Sequence, residues 1–217
     1  MRRLLLAVCL PVWLLAPACS LERLPFGGRP DPPCGEGAEP ASAPTPSGRE
    51  RWCRRRADGA RHGPYLAWHA NGRKQAEGSF VDGREHGRWT RWYATGRRLL
   101  EGEYREGVGQ GRWTFWYANG VKKETGEFRD GREQGPWTRW FENGARESEG
   151  DYRDGVREGR WTVWYESGLL RETGGYRDGE PHGAWRRFSV NGRPCDAEAG
   201  PNPEPRGTAP GDSSARS

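Results

Sequence analysis

The chain has 217 residues, of which 30% are charged and only 33% hydrophobic, and its formal net charge is +5. One Met and few branched aliphatic residues leave little material for a thick globular core, whereas twelve Trp residues argue against a simply disordered chain. Positive and negative charges alternate along the sequence. Nucleic-acid binding needs a surface stripe of one sign, so we expect no nucleic-acid partner.

Residues 1–18 have the form of a secretory signal peptide. Arg2 and Arg3 provide a basic start, and an apolar run follows from Leu4 to Ala16. This run is too short to span a membrane, and small residues lie just before a cysteine. The pattern therefore predicts export and cleavage.

The end of this segment, "LAPAC", resembles the lipobox of bacterial lipoproteins. It departs from the usual pattern because Leu15 stands four residues before Cys19, where the aliphatic residue normally stands three before. The resemblance implies cleavage before Cys19, lipidation of its thiol and a membrane anchor. Ser20 follows in place of an Asp, so we expect an outer-membrane lipoprotein of the bacterial cell envelope; the alternative is a secreted protein.

Two segments are dominated by Pro, Gly, Ala and Ser. Residues 19–49 predict a disordered tether that follows the lipidated cysteine, and residues 195–217 predict a disordered tail. The ordered part is expected to be a repeat array over residues 50–194.

The central part of the chain repeats with a constant period. The first glycine of each block differs from the next by 24 residues (87 − 63, and so on), and these glycines are Gly63, Gly87, Gly111, Gly135, Gly159 and Gly183. A fixed period of roughly 20–50 residues is the signature of a repeat array, in which each unit packs on its neighbours. We assign Gly87, Gly111, Gly135, Gly159 and Gly183 as structural repeat glycines.

Each period reads as a β-hairpin. In the block that starts at Gly111, an aromatic run is followed by Asn119-Gly120, a second run and then Asp130-Gly131. Asn-Gly between strand-like runs is a strong hairpin signal, because both residues tolerate positive φ. The stretch "RWCRRRADG" predicts one further strand that caps the N-terminal end.

A two-residue loop at Asn119-Gly120 fixes the register of the hairpin. Ala118 then pairs with Val121, Trp113 lies opposite Gly126, and Gly111 lies opposite Phe128. Aromatic rings would cover strand glycines, which is a stabilising arrangement. Trp116 has the opposite parity to Trp113, so both sheet faces carry Trp. The predicted fold is all-β: an elongated single-layer antiparallel sheet of 24-residue β-hairpins.

The spaced pattern of Trp, Trp-Tyr, Asn-Gly, Gly-x-Tyr, Asp-Gly and His-Gly covers residues 58–193 and resembles the MORN-repeat variant of bacterial YwqK-like proteins. The resemblance implies an elongated, twisted antiparallel sheet of hairpins. Such proteins are often labelled antitoxin components of toxin–antitoxin systems, and eukaryotic relatives are tied to membrane lipids and scaffolding. No catalytic motif of the family transfers to this chain.

Chemistry-bearing motifs are not evident. Nucleophile motifs, phosphate loops and zinc spacings are missing from the sequence, so we expect a non-enzymatic protein without metal or cofactor. His62, His86 and His182 share one repeat position, but successive units lie roughly 9–10 Å apart at two strands per unit. That distance is too large for a shared zinc ion, whose ligands lie about 2.1 Å from the metal.

Three cysteines follow Cys19. Cys53 and Cys195 lie at opposite ends of an open array, so they are excluded as a pair, because a disulfide needs Cα atoms within about 7 Å. Cys34 precedes Cys53 on a flexible segment, so a Cys34–Cys53 disulfide is feasible after export. Cys195 would then have no disulfide partner.

One tryptophan row is the candidate binding surface: Trp92, Trp116, Trp140 and Trp164. The row is either part of the core or partly exposed, where it could bind cell-wall glycan or an extended peptide by stacking. The sequence thus predicts an envelope-anchored, non-enzymatic binding or scaffolding module with a protein partner. The alternatives are an antitoxin or immunity-type protein that blocks a toxin by surface contact, and a glycan-binding module.

Overall fold

The computed structural model describes residues 33–195, which form one open, 13-stranded antiparallel sheet with the strands in chain order. The strands are β1 (Ala38–Thr45), β2 (Gly48–Arg55), β3 (Arg61–His69), β4 (Lys74–Val81), β5 (Arg84–Trp92), β6 (Arg98–Arg105), β7 (Val108–Trp116), β8 (Lys122–Arg129), β9 (Arg132–Trp140), β10 (Arg146–Arg153), β11 (Val156–Trp164), β12 (Leu170–Arg177) and β13 (Glu180–Arg187). Within residues 33–195 no helix has the length and hydropathy needed to cross a membrane. The predicted all-β hairpin array is confirmed.

The Asp-Gly turns are the tight two-residue hairpin loops of the sheet. Asp130 and Gly131 both adopt positive φ, at 51° and 75°, between the paired residues Arg129 and Arg132. This is the type I′ geometry, whose twist matches that of the flanking strands. The same pair of positive φ values occurs at Asp82-Gly83, Glu106-Gly107, Asp154-Gly155 and Asp178-Gly179.

The Asn-Gly turns have a different geometry from the predicted one. The Tyr117 N–H donates to the Val121 carbonyl, so the loop contains three residues and the predicted pair Ala118–Val121 is wrong. Asn119 keeps a negative φ because its Oδ1 accepts a hydrogen bond from the Val121 N–H, which favours a type I turn. Only Gly120 takes a positive φ.

The predicted register is nevertheless confirmed away from the turn. Trp113 pairs with Gly126 and Gly111 pairs with Phe128, whereas Trp116 pairs with Lys122. The extra loop residue is offset by one unpaired residue, Lys123, at the β-bulge in β8.

The predicted tether is wrong over residues 38–49, because β1 lies there and pairs along its whole length with β2. Composition alone missed this strand, whose Pro and Ala residues are unusual in sheets. The segment is attached by the disulfide Cys34–Cys53, with Cα atoms 5.6 Å apart, so the feasible pairing is formed; Cys195 is free and exposed. The predicted signal peptide, Cys19 and the tether up to residue 32 lie outside the described residues, as does the tail from residue 196.

Two prolines fit β1 because it is an edge strand. The Arg56 N–H donates to the Gly37 carbonyl at 3.0 Å, so the odd-numbered residues of β1 are those that bond to β2. The nitrogens of Pro40 and Pro44 therefore point to the outer edge, where no donor is needed. Prolines at an edge also block pairing with another strand.

The core is a ladder of aromatic rings on one face, which we call the ladder face. Trp89, Trp113, Trp137 and Trp161 are 1–4% exposed and alternate with the rings of Phe80, Tyr104, Phe128, Tyr152 and Tyr176. Neighbouring rings meet edge to face at 4.9–6.2 Å between centroids, a favourable aromatic geometry. This ladder gives a single-layer sheet a buried core.

Each of these four ladder Trp residues lies over a glycine of the preceding strand. Trp113 covers Gly102 and Trp137 covers Gly126, so the expectation that Trp113 covers Gly126 is wrong. The reason is a bulge: three residues of β7, from Gly111 to Trp113, face the single residue Gly102 of β6. Gly111 sits in this bulge with φ 63°, and the bulge directs Trp113 back over β6. The other repeat glycines, Gly87, Gly135, Gly159 and Gly183, have φ values of 66–74°.

Candidate binding surfaces

The predicted tryptophan row lies on the face opposite the ladder. Phe115 stacks on Trp113 with ring centroids 5.9 Å apart, so the next residue, Trp116, points to the other side. Trp92, Trp116, Trp140 and Trp164 each end a strand, and all four are half-buried. We call these four residues the Trp row.

Cationic side chains lie over three rings of the row, and each comes from the preceding unit. Lys74 lies over Trp92 at 5.4 Å from the ring centroid, Arg98 over Trp116 at 5.8 Å and Arg146 over Trp164 at 6.0 Å. These cations also form ion pairs with carboxylates three residues further on, in Lys74–Glu77, Arg98–Glu101 and Arg146–Glu149. The row is therefore an alternation of aromatic rings and exposed positive charges.

Next to the Trp row the same face is polar. Thr114 and Thr125 are paired across two strands with hydroxyl oxygens 3.1 Å apart, and Thr162 and Thr173 repeat the contact at 3.4 Å. The Thr125 hydroxyl also donates to the Trp113 carbonyl at 2.8 Å. Against this background the Trp row is a narrow aromatic stripe.

The backbone under the Trp row is held by contacts that sequence inspection missed. The Tyr117 hydroxyl donates to the Trp140 carbonyl at 2.8 Å, and the Asn119 side-chain amide donates to the Glu142 carbonyl at 2.7 Å. Tyr93 and Tyr165 make the equivalent contact to the next unit. In the sequence, each of these Tyr residues stands 23 residues before the residue whose carbonyl it contacts, and this constant spacing could have predicted the bonds. These bonds connect the backbone at the row in each unit to the backbone of the next unit.

The repeat position that carries His62 in the first unit holds a side chain that contacts the Asp-Gly turn of the next unit. The Gln134 side chain accepts from the Asp154 N–H at 2.9 Å, Glu158 accepts from the Asp178 N–H at 3.1 Å, and His62 lies 3.4 Å from the Asp82 N–H. Each residue thus orders the Asp-Gly turn of the following unit. Among residues 33–195 no group of His, Cys, Asp and Glu is arranged to hold a metal ion.

A cleft of about 340 Å³ opens on the ladder face at the N-terminal end of the sheet. Thr45 and Ser47 of the β1–β2 turn form one side, and Tyr65 and Trp89 lie at the other. The Tyr65 hydroxyl donates to Glu50 at 2.8 Å. Burial, followed by this hydrogen bond, raises the pKa of Tyr65 to about 12, so the hydroxyl stays protonated at neutral pH.

Comparison with known proteins gives one family. A search of curated proteins found no match. The family model described as "MORN repeat variant" matches residues 110–130, which include most of β7, all of β8 and the turn between them. The units on either side have the same strand pairing and turn geometry. Residues 110–130 are thus identified as a MORN repeat variant, a repeat generally found in binding or scaffolding modules and typically without catalytic activity.

Proposed function

We propose that the protein is a non-enzymatic binding module of the bacterial envelope that holds a partner protein along the Trp row. The observation that carries the proposal is the half-burial of Trp92, Trp116, Trp140 and Trp164 on the face opposite the core. Their core counterparts on the ladder face are 1–4% exposed. An aromatic stripe that the fold does not bury completely is available to a partner.

The chemistry of the stripe favours a protein partner. Trp and Arg dominate the energetics of protein interfaces, and the row supplies both, with Arg98 and Arg146 over the rings of the following units. Equivalent rings repeat at about 9.6 Å, which is two strand spacings. An extended segment of a partner could therefore contact several units, and the hydrogen bonds between units would lower the ordering cost of binding.

Paired variants test the Trp row. We would replace Trp116 and Trp140 by Ala, and compare this protein with a control in which Thr114 and Thr138 are replaced by Ala on the same strands and face. Both variants should keep the circular dichroism of the ladder. Envelope proteins crosslinked to the wild type should persist with the Thr variant and disappear with the Trp variant. An unchanged set of partners in the Trp variant would contradict the proposal.

We also propose that the protein is anchored to the membrane by a lipid on Cys19. Support comes from "LAPAC" after an apolar run, since Cys19 lies outside the described residues. Cells labelled with a radioactive fatty acid should incorporate it into the wild type and not into Cys19→Ala. Equal incorporation into the two proteins would contradict the anchor at Cys19, and no incorporation into either would favour the secreted alternative.

Glycan binding by the Trp row is the second candidate, because half-buried indoles can stack on sugar rings. Quenching of Trp fluorescence by cell-wall fragments would support it. An antitoxin or immunity role has support only from the family resemblance, and a toxin encoded beside this protein would favour it.

A further inference from the structure

The first unit departs from the others in the middle of the ladder face. Two residues beyond the ladder aromatic, the later units carry Arg91, Phe115, Arg139, Val163 and Arg187, and the first unit carries Ala67. On the paired strand the later units carry Leu100, Glu124, Ser148 and Glu172, and the first carries Ala76. Ala67 and Ala76 are direct cross-strand partners. The first unit thus has two methyl groups at this pair of positions, where the later units have at least one larger side chain.

The cleft of about 340 Å³ lies where these side chains are missing. Its volume is within the range of about 300–1,000 Å³ that is typical of small-molecule sites. Thr45 and Ser47 of the N-terminal hairpin form its rim, and the Cys34–Cys53 disulfide attaches the chain before this hairpin to β2. The cleft is therefore a local feature with a wall that other units lack.

The charged groups of the cleft are balanced. Arg61 pairs with Glu50 at 2.9 Å and Arg91 pairs with Glu85 at 3.0 Å, so two positive and two negative charges cancel. The site therefore offers donors and acceptors side by side.

We propose that this cleft binds one ring of a neutral saccharide. Each sugar hydroxyl both donates and accepts a hydrogen bond, which matches adjacent guanidinium and carboxylate groups such as Arg91 and Glu85. The Tyr65 ring already lies against Trp89 and has Arg61 over it, so hydrogen bonds and not ring stacking would hold the sugar. A ligand with a net charge would lose hydration without a compensating opposite charge, because the site is neutral. The site is separate from the Trp row.

The binding test uses the purified chain labelled with ¹⁵N and three soluble probes: chitotetraose, maltotetraose and hexaglutamate. The Nε–H resonances of Arg61 and Arg91 report directly on the cleft. At least one neutral oligosaccharide should shift them, and hexaglutamate should not. The proposal is overturned if neither oligosaccharide shifts these resonances, or if only the acidic peptide does.

A variant with larger side chains in the cleft tests whether the saccharide binds there. Ala67→Phe with Ala76→Leu copies the residue types at Phe115 and at Leu100, which the same fold already accommodates. It should melt no lower than the wild type and lose oligosaccharide affinity at least tenfold, or about 1.4 kcal/mol. Val163→Phe, at the equivalent position of a distant unit, should bind normally. Unchanged affinity in a folded filled variant would overturn the proposal.

Two further variants keep the test decisive. Arg91→Gln removes the guanidinium that pairs with Glu85 without filling the cleft, so it should also weaken binding at least tenfold even if the filled variant does not fold. The Trp116→Ala/Trp140→Ala protein should bind oligosaccharide as the wild type does. Loss of binding in this protein alone would place the saccharide on the Trp row and refute the cleft assignment.

Discussion

The indole ring of Trp137 lies directly on the backbone of Gly126, where a Cβ atom would come closer than 3.0 Å to three ring carbons. The indole N–H donates to the next carbonyl, that of Glu127, at 3.2 Å. The same ring-on-glycine contact occurs in Gly78–Trp89, Gly102–Trp113, Gly150–Trp161 and Gly174–Trp185. The burial of the ladder therefore depends on one glycine in every second strand.

We predict that Gly126→Ala destabilises the protein, because the new methyl group would overlap the Trp137 ring. Overpacking of this kind typically costs about 1–3 kcal/mol. Denaturant unfolding would measure it, with the exposed Arg129→Ala as a control that should change stability by less than about 0.5 kcal/mol.

The collision can be isolated by a double-mutant cycle. In a Trp137→Ala background the Gly126→Ala change should cost much less, because the ring it strikes has been removed. An equal cost in both backgrounds would show that the glycine acts through backbone flexibility and not through ring contact.

We predict that Glu106→Asn stabilises the protein. Glu106 has φ 54°, at the position where the four equivalent turns carry Asp. Asn and Asp tolerate this left-handed conformation better than Glu, because their short side chains hydrogen-bond locally. The gain should be about 0.5–1 kcal/mol, visible as a higher Tm, and Glu103→Asn in the adjacent strand should not reproduce it. A lower Tm for Glu106→Asn would contradict the turn assignment.

The edge prolines should keep the protein monomeric. Replacing Pro40 and Pro44 by Val restores two outward N–H donors on β1, so we expect self-association that increases with concentration. Sedimentation velocity would detect it. The Pro40→Lys/Pro44→Lys protein regains the same donors but should remain monomeric through charge repulsion; equal association in both variants would implicate something other than strand pairing.

Loss of the Cys34–Cys53 disulfide should affect one end of the sheet. Nineteen residues separate the two cysteines, and a cross-link of that length is worth about 3 kcal/mol in chain entropy. In Cys34→Ser/Cys53→Ser, hydrogen exchange should accelerate in β1 and β2 and stay slow around Trp161, since each unit contacts mainly its neighbours. Uniform acceleration over all strands would argue against an array.

No internal repeat should be indispensable. Deleting residues 111–134 joins Gln110 to Gly135, which restores the phase because Gln110 and Gln134 occupy equivalent positions. We expect a folded protein of lower stability by circular dichroism and thermal melting. Deleting residues 111–122 removes one strand and its turn, reverses the pairing direction and should unfold the sheet; similar unfolding of both proteins would refute the open array.

Local sequence determined much of this fold. The 24-residue period and the hairpin in every unit follow from glycine spacing, strand alternation and turn residues. The predicted pairing of Trp113 with Gly126 is also correct, but only because the bulge at Lys123 offsets the extra loop residue. These features are local, since each depends on residues within about one period. The opposite orientations of Trp113 and Trp116 follow from the same alternation.

Only the tertiary structure decided which strand each ring covers and where the sheet begins. The bulge at Gly111 directs Trp113 onto β6, and a bulge depends on pairing with both neighbouring strands, which hairpin counting does not include. Likewise β1 has a loop-like composition and becomes a strand because β2 supplies its hydrogen bonds and Cys53 its covalent attachment. The cleft above Ala67 has the same origin, since its rim and floor come from segments that are distant in the chain and adjacent only in the folded sheet.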